Sequence, residues 1–190
     1  MQKIMFNDRY HHTNAVIEER KTRATQIMAG IDFPVNMVMG RVLPDKDGKI
    51  YAVANGENII VKLRYKVGEV VAVAQCYNDV VREFTDLAFV PGSTNKMFVR
   101  ADLMPHQIRI IGIRCERLRD ISDEECIKEG VRVGSQALEY PYYFIDTKQF
   151  LICDYKSPRR AFAALIDKVS GRGTWDRNPW VVVYEFELVK

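Results

Sequence analysis

Charged residues change sign sharply along one stretch of this chain. Between Lys96 and Arg119 stand Lys96, Arg100, Arg109, Arg114, Arg117 and Arg119 against two acids, Asp102 and Glu116; the next ten residues, Asp120 to Glu129, carry five acids and one lysine. Two readings are open. Either these are solvated faces of opposite sign, or a cationic strand edge suited to phosphate contacts lies beside an acidic helix that shapes a pocket. The aromatic run around Tyr140, Tyr142 and Tyr143 can stack on bases or pack on the fold. Cys76, Cys115, Cys126 and Cys153 stand at gaps of 39, 11 and 27, and the only histidines are His11, His12 and His106. Zinc needs converging close pairs of such ligands, so no metal site and no cofactor are expected, and the sulfur reads as structural. Dinucleotide and P-loop readings fail for want of GxGxxG or GxxxxGK[ST], and a serine hydrolase for want of GxSxG.

The elements that must position these residues can be read in outline. Thr13 is expected to cap a short helix from Asn14 to about Arg20, and Lys21–Met28 reads as extended. Asp45–Gly48 marks a hairpin turn between Val38–Leu43 and Lys49–Ala54, and Asn55-Gly56 marks another turn. Ile59–Arg64 and Glu69–Gln75 are strand-like, Asn78–Thr94 reads as irregular, and Lys96–Arg100 as a brief strand. Ile108–Leu118 alternates as a long central strand. Ser122-Asp123-Glu124-Glu125 spells a capping box opening a helix of about two turns that ends at Gly130. Tyr140–Ile145 and Gln149–Asp154 flank a turn, an aromatic hairpin between two helices. Ser157-Pro158 opens the best helix, with Phe162, Leu165, Ile166 and Val169 as its core stripe. Trp180–Leu188 alternates as a half-buried closing strand, with Trp180 mostly buried and Trp175 in a loop, partly exposed.

One hundred and ninety residues, 47% hydrophobic and 28% charged, suit a single globular domain over 1–190 and exclude wholesale disorder. A net charge of +3 is too small to prove an anionic partner. No apolar run is long enough to span a bilayer, and charge follows the first apolar residues too soon for a signal peptide, so the cytoplasm is the expected compartment. Short strands around three short helices without regular βαβ alternation argue α+β, in the form of a small, strongly bent or closed barrel with helices on its rim.

Several segments together resemble one family. Ala15-Val16-Ile17-Glu18-Glu19-Arg20-Lys21-Thr22 resembles the "ILxGRKT" entry of the ASCH domain, a branch of the PUA-like superfamily, and Tyr65–Val73 resembles its "YxvGDvlwV" strand. Arg114–Val131 is similar to "v.veRLqdIteeda..EGi", and Phe162–Phe186, with Trp175 and Asn178-Pro179-Trp180, to the ending of phage and prophage members. The resemblance implies a PUA-like β-barrel, with about 130–157 as an inserted hairpin. It also implies a cleft beside the first helix where RNA or a nucleoside-like small molecule is recognised, with Lys21, Thr22, Arg23, Thr25 and Glu129 as contacting residues.

One branch of the family hydrolyses N4-acetylcytidine with a lysine, a threonine and a glutamate. Carried over, the lysine is Lys21, the glutamate is Glu129 and the threonine position is Ala24, while Ala24-Thr25-Gln26 replaces a usual "TRR" and removes two guanidiniums. Thr25 on a strand points away from position 24, so it is not expected to stand in. Binding therefore ranks above an amidohydrolase acting on N4-acylated cytidines. A third reading is a mobile-element accessory protein whose aromatic hairpin docks a protein partner. If the cleft is kept, Lys21 and Glu129 should meet across the chain, and restoring the hydroxyl by Ala24→Thr should raise hydrolysis.

Overall fold

The computed structural model describes residues 1–28, 43–44, 49–54, 57–80, 90–134, 142–147 and 152–189. The strands are β1 (Lys3–Ile4), β2 (Arg23–Ile27), β3 (Leu43–Pro44), β4 (Lys49–Ala54), β5 (Glu57–Lys62), β6 (Val70–Val73), β7 (Gln107–Arg117), β8 (Arg132–Val133), β9 (Tyr143–Ile145), β10 (Ile152–Tyr155) and β11 (Trp180–Leu188). The helices are α1 (His12–Ile17), α2 (Tyr77–Val80), α3 (Asp123–Lys128), α4 (Pro158–Ser170) and α5 (Thr174–Arg177). The fold is α+β. Its main sheet runs β1-β6-β7-β11-β2, and two three-stranded sheets, β3-β4-β5 and β10-β9-β8, stand beside it. The β1–β6 pair is parallel and the rest of the main sheet is antiparallel. Among the described residues no pairing joins edge strands β1 and β2, so the main sheet stays open where a small closed barrel was expected. No helix among them is long and apolar enough to cross a membrane.

The main sheet is covered on both faces. Val182, Tyr184 and Phe186 of β11 pack with Ile4, Phe6, Val16, Ile108 and Ile110 on one side. On the other, Val181 and Val183 meet Leu118, Ile121, Cys126 and the α4 residues Phe162, Leu165 and Ile166. Hence Trp180 to Tyr184 are all buried, and β11 is not the half-buried strand its alternation predicts. Both side-chain sets of a strand enter a core when each sheet face has its own cover. On α4 the stripe stops at Ile166: Val169 is 47% exposed, while Trp175, expected in a loop, lies in the helical turn α5, half-buried and edge-on to Phe162 at 6.2 Å. Trp180 lies at 9% exposure, as its register predicts.

Local chemistry explains most boundaries. Ser122 accepts from the Glu125 backbone N–H, and the Glu125 carboxylate accepts from the Ser122 N–H, a complete capping box at the start of α3. Ser122→Ala is expected to cost about 1 kcal/mol, read as a lower urea midpoint with an unchanged slope; an unaltered midpoint would show that the cap is idle. Ser157 caps α4 ahead of Pro158 as expected. Two expectations need correction. Thr13 lies inside α1 rather than before it: a 3₁₀ turn at Asp8–Tyr10, capped by Asn7, runs into α1 through His11 at φ 52°, and the Thr13 hydroxyl donates to Asp8 Oδ1 at 2.5 Å. Lys96–Phe98 is a 3₁₀ turn and not a strand, because the Asn95 side chain accepts from the Met97 N–H at 3.0 Å and closes a local turn.

The remaining expectations divide by coverage. The segment expected to be irregular after Asn78 contains the single turn α2 at its start, and residues 81–89 lie outside the described residues. So do both turns, 45–48 and 55–56, although β3 pairs with β4 and β4 with β5 around them. In the aromatic hairpin β9 pairs with β10, Tyr143 opposite Tyr155, and Ile145 is buried against α4 residues. Tyr142, Tyr143 and Phe144 are half-buried; Tyr140 and Phe150 lie outside the described residues.

Candidate functional site

The chain leaves α1 and is threaded between two helix ends before it becomes β2. Lys21 N–H donates to Ala15 C=O at 2.9 Å, Thr22 N–H donates to Lys128 C=O at 3.1 Å, and Thr22 C=O accepts from Phe186 N–H at 3.0 Å. These bonds pin Lys21 beside the C-terminal end of α3. Its ammonium donates to Glu129 Oε2 at 2.7 Å and to the Glu129 carbonyl at 2.6 Å, across 108 residues of sequence. Both partners are buried, at 3% and 4% exposure. Lys21 and Glu129 thus meet as expected. Close approach is possible because position 130 is glycine at φ +108°: a Cβ there would sit 3.3 Å from the His12 ring and 3.8 Å from Lys21 Cδ.

Alternation along the strand decides the rest. Lys21, Arg23 and Thr25 project toward α3, and the Thr25 hydroxyl donates to Glu129 Oε1. Ala24 projects the other way, packed against the apolar cluster that contains Val16, Val182 and Tyr184. The expectation that position 24 faces Lys21 and Glu129 is therefore wrong, and so is the exclusion of Thr25: the strand's own two-residue period places position 25, not 24, on the glutamate. A threonine at 24 would aim its hydroxyl into the core. Thr22 joins the frame through its backbone bonds.

Arg23 is the centre of a wider ion network. It is 1% exposed, with Nη1 2.5 Å from Glu125 Oε1, Nε 3.3 Å from Glu129 Oε1, and Nη2 paired with Glu116. Arg114 Nε pairs with Glu116 Oε2 at 2.8 Å, and its other nitrogens pair with Glu125 and Glu185. Sequence reasoning missed Glu116, Glu125, Arg114 and Glu185 as members; the available signal was the spacing of four between Glu125 and Glu129, which puts two carboxylates on one side of α3. The contrast of charge along the chain also resolves. Lys96 pairs with Asp8, Arg100 with Asp102, and Arg109 with Glu187, so part of the basic stretch carries its own counter-charges, with Arg100 and Arg109 still exposed. Arg117 lies over the Trp180 ring at 4.5 Å. The acidic stretch divides: Glu125 and Glu129 enter the network, while Asp120, Asp123 and Glu124 are exposed on a solvated face.

Electrostatics follow from burial. Desolvation pulls the Lys21 amine below the ordinary lysine range, and Glu129 pulls back against it through charge and hydrogen bond. His12, buried and tilted against the Tyr10 ring at 5.9 Å, is driven down to about 2, first by desolvation and then by the charges of Lys21 and Lys96. For Glu125, burial raises the carboxyl pKa, but the Ser122 N–H and the Arg23 and Arg114 guanidiniums outweigh it, and the net shift is downward. Burial pushes the Cys115 and Cys126 thiols up to about 12, which removes them as nucleophiles at neutral pH. Among the described residues no group of three histidine, cysteine or carboxylate side chains is placed to hold a metal ion. The cluster can therefore hold a donor–acceptor edge, with an ammonium and a hydroxyl beside one carboxylate, or pass a proton between them. Compared with protein-family models, with curated proteins and with solved structures, the chain matches none.

Proposed function

We propose that the protein is a PUA-like, ASCH-type binding module that recognises RNA or a nucleoside-like ligand in the cleft beside α1, at the Lys21–Thr25–Glu129 cluster. The observation that carries this reading is the convergence of a buried ammonium, a buried carboxylate and a half-buried hydroxyl at one point on edge strand β2. An apolar pair would hold α3 to β2 at no desolvation cost, so a buried ion pair whose ammonium is held below the ordinary lysine range is better explained by a ligand than by stability. A carboxylate accepts from an exocyclic amine while an ammonium and a hydroxyl donate to a ring carbonyl, which matches a base edge. Because Arg23 is already neutralised by three carboxylates, the base rather than the phosphate is read here. The ASCH-like segments support the same assignment. The test is a fluorescence titration with cytidine, N4-acetylcytidine and a short structured RNA at two salt concentrations. Nucleoside binding should be saturable and insensitive to salt, RNA binding should weaken as salt rises, and Thr25→Val should weaken both. Absence of saturable binding to all three probes would overturn the proposal.

A second reading is favoured by the Thr25 hydroxyl resting on Glu129 with Lys21 on the other carboxylate oxygen. On an N4-acylated cytidine, Thr25 Oγ1 attacks the acyl carbon and gives its proton to Glu129. Lys21 protonates the departing amine, and water then cleaves the acyl-threonine ester to release acetate. Thr25→Ala should then abolish cytidine release, whereas Ala24→Thr should leave it unchanged because that side chain faces the core. Turnover that survives Thr25→Ala would exclude this route.

A further inference from the structure

From Lys156 to Arg177 six basic residues, Lys156, Arg159, Arg160, Lys168, Arg172 and Arg177, stand against two acids, Asp167 and Asp176. That excess of four is larger than the +3 of the whole chain, so the surplus positive charge of the protein sits on α4, α5 and their flanks. All six basic residues are exposed. Of the two acids, Asp167 is committed to the fold. Its carboxylate accepts from the Gly173 N–H at 3.0 Å and the Trp175 N–H at 2.9 Å, which ties α5 to α4.

The arginines here are joined to one another. Asn178, left-handed at φ 47°, accepts from the Arg119 N–H at 2.8 Å through Oδ1 and from Arg117 Nη1 at 3.3 Å through its carbonyl. The Arg119 carbonyl in turn accepts from Arg159 Nη2. Arg177, next to Asn178, donates from Nη2 to Thr174 Oγ1 at 2.8 Å and from Nη1 to the Arg172 carbonyl at 3.3 Å. Arg159, Arg119, Arg177 and Arg172 thus form one continuous ridge, drawn from the 3₁₀ turn Leu118–Asp120, from α4 and from α5. Arg117 packs over the Trp180 ring behind it. The acceptors that fix Arg159 and Arg177 are carbonyls and a hydroxyl, which position a guanidinium without cancelling its charge. Arg23 and Arg114, by contrast, are held by carboxylates. Asp120 and Asp176 are exposed beside the ridge and offset part of its charge.

We infer that this ridge docks the phosphodiester backbone of a nucleic acid, whatever its base sequence and whether or not a nucleoside enters the Lys21 cluster. Arg159 and Arg172 lie at opposite ends of α4, about 20 Å apart at about 1.5 Å per residue. A row of cations that long is matched by a chain with a negative charge on every residue, which a phosphodiester backbone supplies. A guanidinium also donates two parallel N–H groups to a phosphate. The two surfaces are separate, since Arg119 precedes α3 and Glu129 closes it. The ridge supplies the phosphate contacts that the Lys21 cluster, with Arg23 already neutralised, does not.

The experiment is fluorescence anisotropy of a labelled oligouridylate with the full chain over a series of salt concentrations. The decisive variant is the double substitution Arg119→Gln, Arg172→Gln. Both residues enter the bonds above through backbone atoms alone, so the framework of the ridge stays in place. It should weaken binding at least tenfold at low salt and flatten the slope of log affinity against log salt by about 1.4, two phosphate contacts at about 0.7 each on a single strand. Its unfolding midpoint in urea and its affinity for cytidine should match wild type. An oligothymidylate should bind as the oligouridylate does, because phosphates carry no sugar identity. Thr25→Val should leave the salt slope unchanged even where it lowers affinity, so failure of the cleft reading and failure of the ridge are told apart. The inference is overturned if the double variant keeps the wild-type slope, or if polyglutamate binds more tightly than the oligouridylate. It is also overturned if the double variant loses binding to phosphatidylserine vesicles while keeping its affinity for the oligouridylate.

Discussion

Lys21→Met is expected to destabilise the protein by about 3–5 kcal/mol, because it leaves the Glu129 carboxylate enclosed without its ammonium. The pair is 2.7 Å apart, and its side chains are 4% and 6% exposed, so solvent cannot replace the lost partner. Thr25 and the Arg23 Nε at 3.3 Å remain on Glu129 Oε1, but Arg23 already answers Glu116 and Glu125. The comparison that isolates the charge is the double variant Lys21→Met, Glu129→Leu. Removing both ions removes the desolvation penalty together with the attraction, so the double variant should recover most of what the single variant loses. Urea unfolding of wild type, both single variants and the double variant gives the coupling energy. A loss below about 1 kcal/mol on Lys21→Met would mean that the pair behaves as a solvated surface bridge, contrary to its burial.

The second large effect is loss of stability on mild acidification, and His12 is its source. In the unfolded chain an imidazole titrates near 6.5; in the fold His12 is driven down to about 2. Between those values the unfolded state takes up a proton that the folded state refuses. Stability is therefore unaffected by this group above pH 6.5 and falls as pH drops below it, by up to about 1.4 kcal/mol per unit. The groups facing the ring are Tyr10, Lys21 and Lys96, and both cations oppose its protonation. From pH 6.5 to 5 most carboxylates stay ionised, so a series of urea curves over that window should show a falling midpoint, and His12→Phe should flatten it. An equal slope in wild type and variant would remove His12 as the cause.

Glu129 and Thr25 illustrate how far the site could be read in advance. That Lys21 and Glu129 should meet was expected from the resemblance to ASCH domains, which implied that both line one cleft, although α1 ends at Ile17 rather than near Arg20 and so does not itself carry Lys21. Which neighbour of Lys21 shares that meeting was not legible. The parity of β2 relative to Lys21 depends on residues 21 and 22, which are held by backbone bonds to Ala15, Lys128 and Phe186 on three other elements. No local pattern encodes those partners. The same limit applies to the ions: Arg23, Arg114, Glu116 and Glu125 look in sequence like ordinary solvated charges, and they become a buried network only when β2, β7 and α3 are brought together.

What the sequence by itself determined were features whose partners lie within a few residues: the Ser122–Glu125 capping box, the Ser157-Pro158 start of α4 and the left-handed glycine at 130, whereas the predicted alternation of β7 is broken by a bulge at Ile111 that brings Ile113 and Cys115 to the side of Ile108 and Ile110. Those bonds form between near neighbours and need no third element. Only the tertiary structure decided that β11 is buried on both faces, that Ala24 enters the core while Thr25 meets Glu129, and that the main sheet stays open between β1 and β2 among the described residues. Each of these depends on which segment arrives from far along the chain to cover a face or pair with an edge. An alternating strand reads the same whether one side or both will be covered.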